Sequence, residues 1–199
     1  MPSPAFFASA PSLTLFDPLS RFLGAGDGIL TYGYEDAVKL AGHSCPTVAG
    51  SWLMLVTGIA SLWPGEIPER GKIEVHLPDA ADEGTTGVVA AVASLLTGAR
   101  GEDGFKGIAG QFRRQGLLFF ETPLAGSLGL RRNDTGQGVI ARLDLSSVPV
   151  DQTMPLLLNK WRDGSASALE IDQFGKLWQD RVRRLFEQKD RVVGLMPWV

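Results

Sequence analysis

Residues 48–63 (VAGSWLMLVTGIASLW) carry an almost uninterrupted apolar run, and that run limits what the chain can fold into. It is shorter than the roughly 20 residues needed to cross a bilayer, and Gly50, Ser51, Thr57, Gly58 and Ser61 dilute it. Trp52, Leu53, Val56, Ile59, Ala60 and Trp63 fall at helical spacing. Pro46 suits the first turn, where its missing N–H is not needed, and Pro64 and Gly65 stop the helix. Such a segment is expected as a helix buried in a protein core.

The rest of the chain can supply that core. At 199 residues it matches one ordinary domain. Hydrophobic residues make up 44% and charged residues 21%, which excludes a wholly disordered, collagen-like or coiled-coil chain. Cys45 is the single cysteine, so no internal disulfide exists, and a reduced, cytoplasmic setting is the simplest expectation. Lys and Arg number 19 against 22 Asp and Glu, a net charge of −3 with no long basic run, which argues against a nucleic-acid footprint. Residues 2–16 are apolar, and Ala8-Ser9-Ala10 imitates a cleavage site. No Lys or Arg precedes Arg21, however, and Pro11 breaks the run, so an ordered arm is expected rather than a signal peptide.

Local patterns fill in the other elements. Glu35 to Leu40 reads as a short amphipathic helix ended by Gly42. Lys72 to Leu77 alternates Lys72, Glu74 and His76 with Ile73, Val75 and Leu77, the period of a half-buried strand, with His76 on the polar side of its end. An acidic loop with Asp79, Asp82 and Glu83 leads to Thr85 or Thr86 as the cap of a helix over Val88 to Leu96, closed by Gly98. Strands are expected over Gly116 to Thr122, Ser127 to Arg132 and Gly138 to Leu145, the last two joined by an Asn133-Asp134-Thr135-Gly136 turn. Met154 to Arg162 and Ala166 to Lys189 read as helices. Strands and helices segregate, so the expected fold class is α+β: a mainly antiparallel sheet packed with helices over residues 1–150, and a C-terminal helical extension over 151–199.

Gly42-His43-Ser44-Cys45-Pro46 is the segment with most chemistry in it. An imidazole and a thiol lie two residues apart at a helix start. Both are good ligands for Zn²⁺ and similar ions, and the helix N-terminus would also favour a thiolate nucleophile. A small buried cysteine is the alternative reading.

Ala41 to Trp52 (AGHSCPTVAGSW) resembles the Gly-His-x-Cys-Pro-Gly signature of the FmdE family, named for the E component of formylmethanofuran dehydrogenase. The following strand, the helix ending in Leu96-Thr97-Gly98, the Gly104-Phe105-Lys106-Gly107 loop and Gln111 to Phe120 keep that family's order. The resemblance implies an α+β metal-binding domain, a homodimer, and His43 and Cys45 as ligands of a divalent transition metal, most simply zinc. It implies no particular reaction. A metal-dependent enzyme and a non-enzymatic accessory protein that takes a metal or small cofactor, linked to one-carbon metabolism, both fit it. The chain departs from the family at Thr47, where glycine is usual, and at residues 88–98, which lack the family's cysteine and aspartate. A third donor must then come from His76, from Asp79, Asp82 or Glu83, from a partner subunit or from water. His76, the other histidine, is the expected third ligand, giving a His₂Cys set with room for water or a small molecule.

Two further features are weaker. Arg113 and Arg114 precede an apolar strand and are candidates to anchor a carboxylate or phosphate. Leu118-Phe119-Phe120 and the Trp178 helix suggest apolar surface that association would cover.

Overall fold

A computed structural model of the protein describes residues 3–198, so residue 2 of the expected arm and residue 199 lie outside the described part. The fold is α+β, as expected. Strands β1 (Leu13–Phe16) and β2 (Ile29–Tyr32) form an antiparallel hairpin around the short helix α1 (Pro18–Phe22). Helices α2 (Tyr34–Ala41) and α3 (Pro46–Leu62) follow, then β3 (Ile73–His76) and α4 (Thr86–Thr97). A glycine-rich loop leads to β4 (Leu118–Phe119), β5 (Leu128–Arg132) and β6 (Gly138–Leu143). Helices α5 (Met154–Arg162), α6 (Ala168–Glu187) and α7 (Lys189–Val192) precede β7 (Val193–Trp198).

The five-stranded sheet has the order β4-β3-β5-β6-β7, antiparallel throughout except for β3 beside β4. Helix α3 lies on one face of it, and α2, α4 and α6 pack on α3 from other sides. That enclosure accounts for its sequence: a helix apolar all round must be covered all round. Two glycines let it approach the strands. A Cβ at Gly50 would meet Leu143 of β6, and one at Gly58 would come within 2.7 Å of Leu130 of β5.

The arm is ordered, as expected: β1 pairs with β2, and Trp52 Nε1 donates to the Pro11 carbonyl at 2.9 Å. The structure departs from expectation in two places. Thr85 is the N-cap residue of α4, yet its hydroxyl makes no capping bond. The segment after residue 150 is not helical to its end, since β7 pairs with β6 from Val193 to Trp198 and becomes the sheet's edge strand. The 133–136 turn between β5 and β6 is as read, with Gly136 in the left-handed region at φ +77°.

Candidate functional site

The His43-Ser44-Cys45 loop, here the HSC loop, leaves α2 through Gly42, whose φ of +74° places it in the left-handed region that ends helices. Each of its polar groups then finds a use. Cys45 is the N-cap of α3, and its Sγ accepts from the Val48 N–H at 3.4 Å. The Ser44 hydroxyl bonds the buried Tyr34 hydroxyl at 2.9 Å, and burial pushes the Tyr34 phenol well above its ordinary value, so it stays protonated. The Ser44 carbonyl accepts twice from α6, from Trp178 Nε1 at 3.0 Å and from Gln179 Nε2 at 3.1 Å. Trp178 is thus a clamp on the loop through its indole nitrogen. Trp178→Phe removes one of two donors to a shared carbonyl, so we expect a loss of about 1 kcal/mol in unfolding free energy. Urea titration of the two proteins checks it, and a loss above about 3 kcal/mol would mean the clamp does more than this.

His43 is the exposed member of the loop. Its Nδ1 lies 2.9 Å from the Ala41 carbonyl, which can only accept. Nδ1 is therefore the donor, which in the neutral ring leaves the lone pair on Nε2.

His76 sits elsewhere, and strand parity is the reason. Val75 pairs with Leu130, which faces α3 through Gly58, so Val75 and Leu77 belong to the α3 side and His76 to the opposite side of the sheet. There its ring stacks on Phe119 at 4.5 Å, meets Trp198 edge-on at 4.7 Å, and reaches Glu74 at 3.5 Å and Thr122 at 3.4 Å. Burial, with the Arg131 charge adding to it, holds His76 below its ordinary value against the pull of Glu74. The topology does bring the end of β3 back to the start of α3: Leu77, Pro78 and Asp79 share a cleft of about 420 Å³ with Thr47, Ser51 and Thr86. His76 points away from it.

Among the described residues no three His, Cys, Asp or Glu side chains gather where they could hold one ion. The expected His43, Cys45 and His76 set is therefore not assembled within one chain, and Asp79, Asp82 and Glu83 do not complete it. Within one chain the loop offers two donors, the Cys45 sulfur, which also caps α3, and the exposed His43 imidazole, so a metal there would need a further donor.

A different feature borders the loop, of which the sequence pointed to the Trp178 helix but not to the opposite wall. Phe7 of the arm, Val38 of α2, His43, and Ile171, Phe174 and Trp178 of α6 line an apolar groove of about 1020 Å³. A second hollow of about 210 Å³ between α5 and α6 shares Ile171 and Phe174 with it and adds Leu157, Leu158 and Trp161. Leu169 is 82% exposed and Trp161 62%, with Leu156, Leu158 and Ile171 about half exposed. The signal available in the sequence was the i, i+3, i+4 spacing of these residues on two helices. The groove needs the arm and the HSC loop as its other wall, and only tertiary structure supplies those.

No family model matches the chain, and no curated protein matches it. Among solved structures it is similar to the crystal structure of a tungsten formylmethanofuran dehydrogenase FmdE-like protein from Syntrophus aciditrophicus, at 16% identity and a TM-score of 0.45, over 84% of this chain and 72% of that one.

Proposed function

We propose that this chain is an accessory binding protein that acts as a homodimer, joined through the apolar face of α5 and α6 beside the HSC loop. The observation that carries the reading is the continuous apolar surface running from Phe7 past His43 to Trp161, bordering a loop whose cysteine and serine are spent on holding α3 and α6 together. Apolar patches of this kind on one chain favour association, and a two-fold interface uses the same patch on both copies. In this reading a divalent transition ion, zinc foremost, is held by His43 and Cys45 only with a further donor from the second copy. The FmdE-like segment at residues 41–52 then keeps its place in the fold as the wall of a binding surface.

Light scattering on the purified protein is expected to give twice the mass of the 21.4 kDa chain at micromolar concentration. Trp161→Asp, on a residue that is 62% exposed and carries little of the core, is expected to shift the protein to monomer without lowering its thermal midpoint at low concentration. A wild-type monomer would sink the dimer reading. Cys45→Ser separates the two roles of the loop. Serine is a strong N-cap, so the variant is expected to stay as stable as wild type or gain slightly in denaturant titration. Metal content after purification without added metal is the companion measurement: a sharp drop in the variant is expected, and unchanged metal content would remove Cys45 as a ligand.

A further inference from the structure

Arg70 and Arg114 share one carboxylate, and they are not equally satisfied by it. Asp17 reaches Arg70 at 2.8 Å and Arg114 at 2.9 Å. Arg70 spends its remaining nitrogens on the last-turn carbonyls of α4, donating from Nε to Leu96 and from Nη2 to Leu95. Arg114 is 6% exposed, donates from Nη2 to Asp17, and has no acceptor for Nη1 among the described residues. Its Nη1 end fills the space that a Cβ at Gly71 would need, so Gly71 makes room for it. A buried guanidinium with an unmet donor is a costly arrangement. Such groups call for an account in terms of a missing acceptor.

Gly71 and Arg114 line a cleft of about 440 Å³ formed by residues 69–74 and 110–114. It shares no lining residue with the groove beside the HSC loop, and its size lies within the roughly 300–1,000 Å³ of small-molecule sites. Lys72 and Arg113 line it as well and make no ion pair among the described residues. Glu69 and Glu74 are the carboxylates in the wall, and Glu74 is engaged with His76. Counting Asp17, the four cations exceed the three carboxylates among the described residues by one positive charge. Phe112 holds φ +63°, unusual for a side chain of its size, and its ring rests 5.2 Å from that of Phe22 as an apolar lip.

We infer that this cleft binds a small oxyanion of the phosphate type. Arg113 and Lys72 are the direct donors, and Arg114 supplies the buried charge behind them. A guanidinium offers two parallel N–H groups to such an anion, and the ammonium adds a point charge.

Calorimetric titration with inorganic phosphate at fixed ionic strength tests this. Wild type is expected to bind one phosphate per chain. Arg113→Gln and Lys72→Gln are each expected to weaken binding about tenfold or more, while the thermal midpoint of the phosphate-free protein stays put. Lys106→Gln, on the same loop but outside the cleft lining, should bind phosphate as wild type does. The inference is overturned by absence of binding at millimolar phosphate, or by an equal loss in Lys106→Gln, which would reveal diffuse charge attraction. If Arg113→Gln does not fold, Lys72→Gln alone decides. None of these residues lines the α5–α6 surface, so failure here leaves the dimer reading standing, and the reverse holds.

Discussion

Asp17→Ala should lower the free energy of unfolding by about 3–5 kcal/mol, the cost of removing one partner from a buried ion pair and stranding the other charge. Asp17 is 5% exposed and does three jobs with one carboxylate. It caps α1 by accepting from the Leu19 and Ser20 N–H groups, and it neutralises Arg70 and Arg114. Those arginines in turn tie the hairpin to residues 70 and 114 and to the end of α4. Asp17→Asn keeps a capping oxygen but loses the charge. It should recover about 1 kcal/mol of the loss. Urea denaturation at pH 7 measures both, and an Asp17→Ala protein within about 1 kcal/mol of wild type would mean that solvent reaches the arginines.

The same group gives a pH dependence with a definite sign. Burial pushes the Asp17 carboxyl up, but the Arg114 charge, the Ser20 N–H and Arg70 together outweigh it and hold the carboxyl below its ordinary 3.8. A carboxyl depressed in the folded state contributes stability that is present above its unfolded value and is lost as pH falls through its folded value. Wild type should therefore lose stability below about pH 4 more steeply than Asp17→Asn, which has no such proton to take up. Asp134 and Asp180 are also depressed, by their Arg132 and Arg183 partners, but both remain in the variant, so the difference between the two proteins isolates Asp17. Parallel acid titrations of the two proteins would remove Asp17 as the cause.

Much of the fold was legible because its signals are local. The alternation at 72–77, the glycine stops at 42 and 98 and the apolar run at 48–63 each report a period or a terminus within a few residues, and those elements stand where the patterns put them. What the sequence hid is set by long-range pairing. The 193–198 segment, with Gly194 and Pro197, falls within what reads as a helical extension, yet it is the strand that supplies Trp198 over His76. Without that strand, the polar side of β3 looked like solvent and His76 looked free to reach a metal. The HSC loop was legible as a helix start, while its part as a ligand set is not legible from neighbours alone, since a thiol that caps a helix and one that binds an ion have the same sequence neighbours. Asp17 was missed for a related reason: its partners are 53 and 97 residues away, and nothing near Asp17 announces them.

The fully buried Trp52 is where local and long-range order meet, and Trp52→Ala is expected to cost about 3–5 kcal/mol. Its indole lies on α3 about two turns from the HSC loop, in the layer that α3 forms between the sheet and the other helices. It packs edge-on against Tyr34, with ring centroids 6.2 Å apart, and Tyr34 in turn touches Phe7 and Phe186. One residue therefore links α2, the arm and α6. Truncation removes the apolar contact, opens a cavity that neighbours on several elements cannot all close, and leaves the Pro11 carbonyl without its donor. Trp52→Phe separates these effects. It keeps most of the ring contact, loses the hydrogen bond, and should cost less than half as much as alanine. Because Tyr34 bonds Ser44, a cavity at Trp52 should also loosen the HSC loop, read as faster amide exchange at residues 43–45 than in wild type. If Trp52→Ala unfolds with wild-type midpoint, or if amide exchange at the loop is unchanged while global stability falls, the indole is not the joint that couples the arm and the loop to the core.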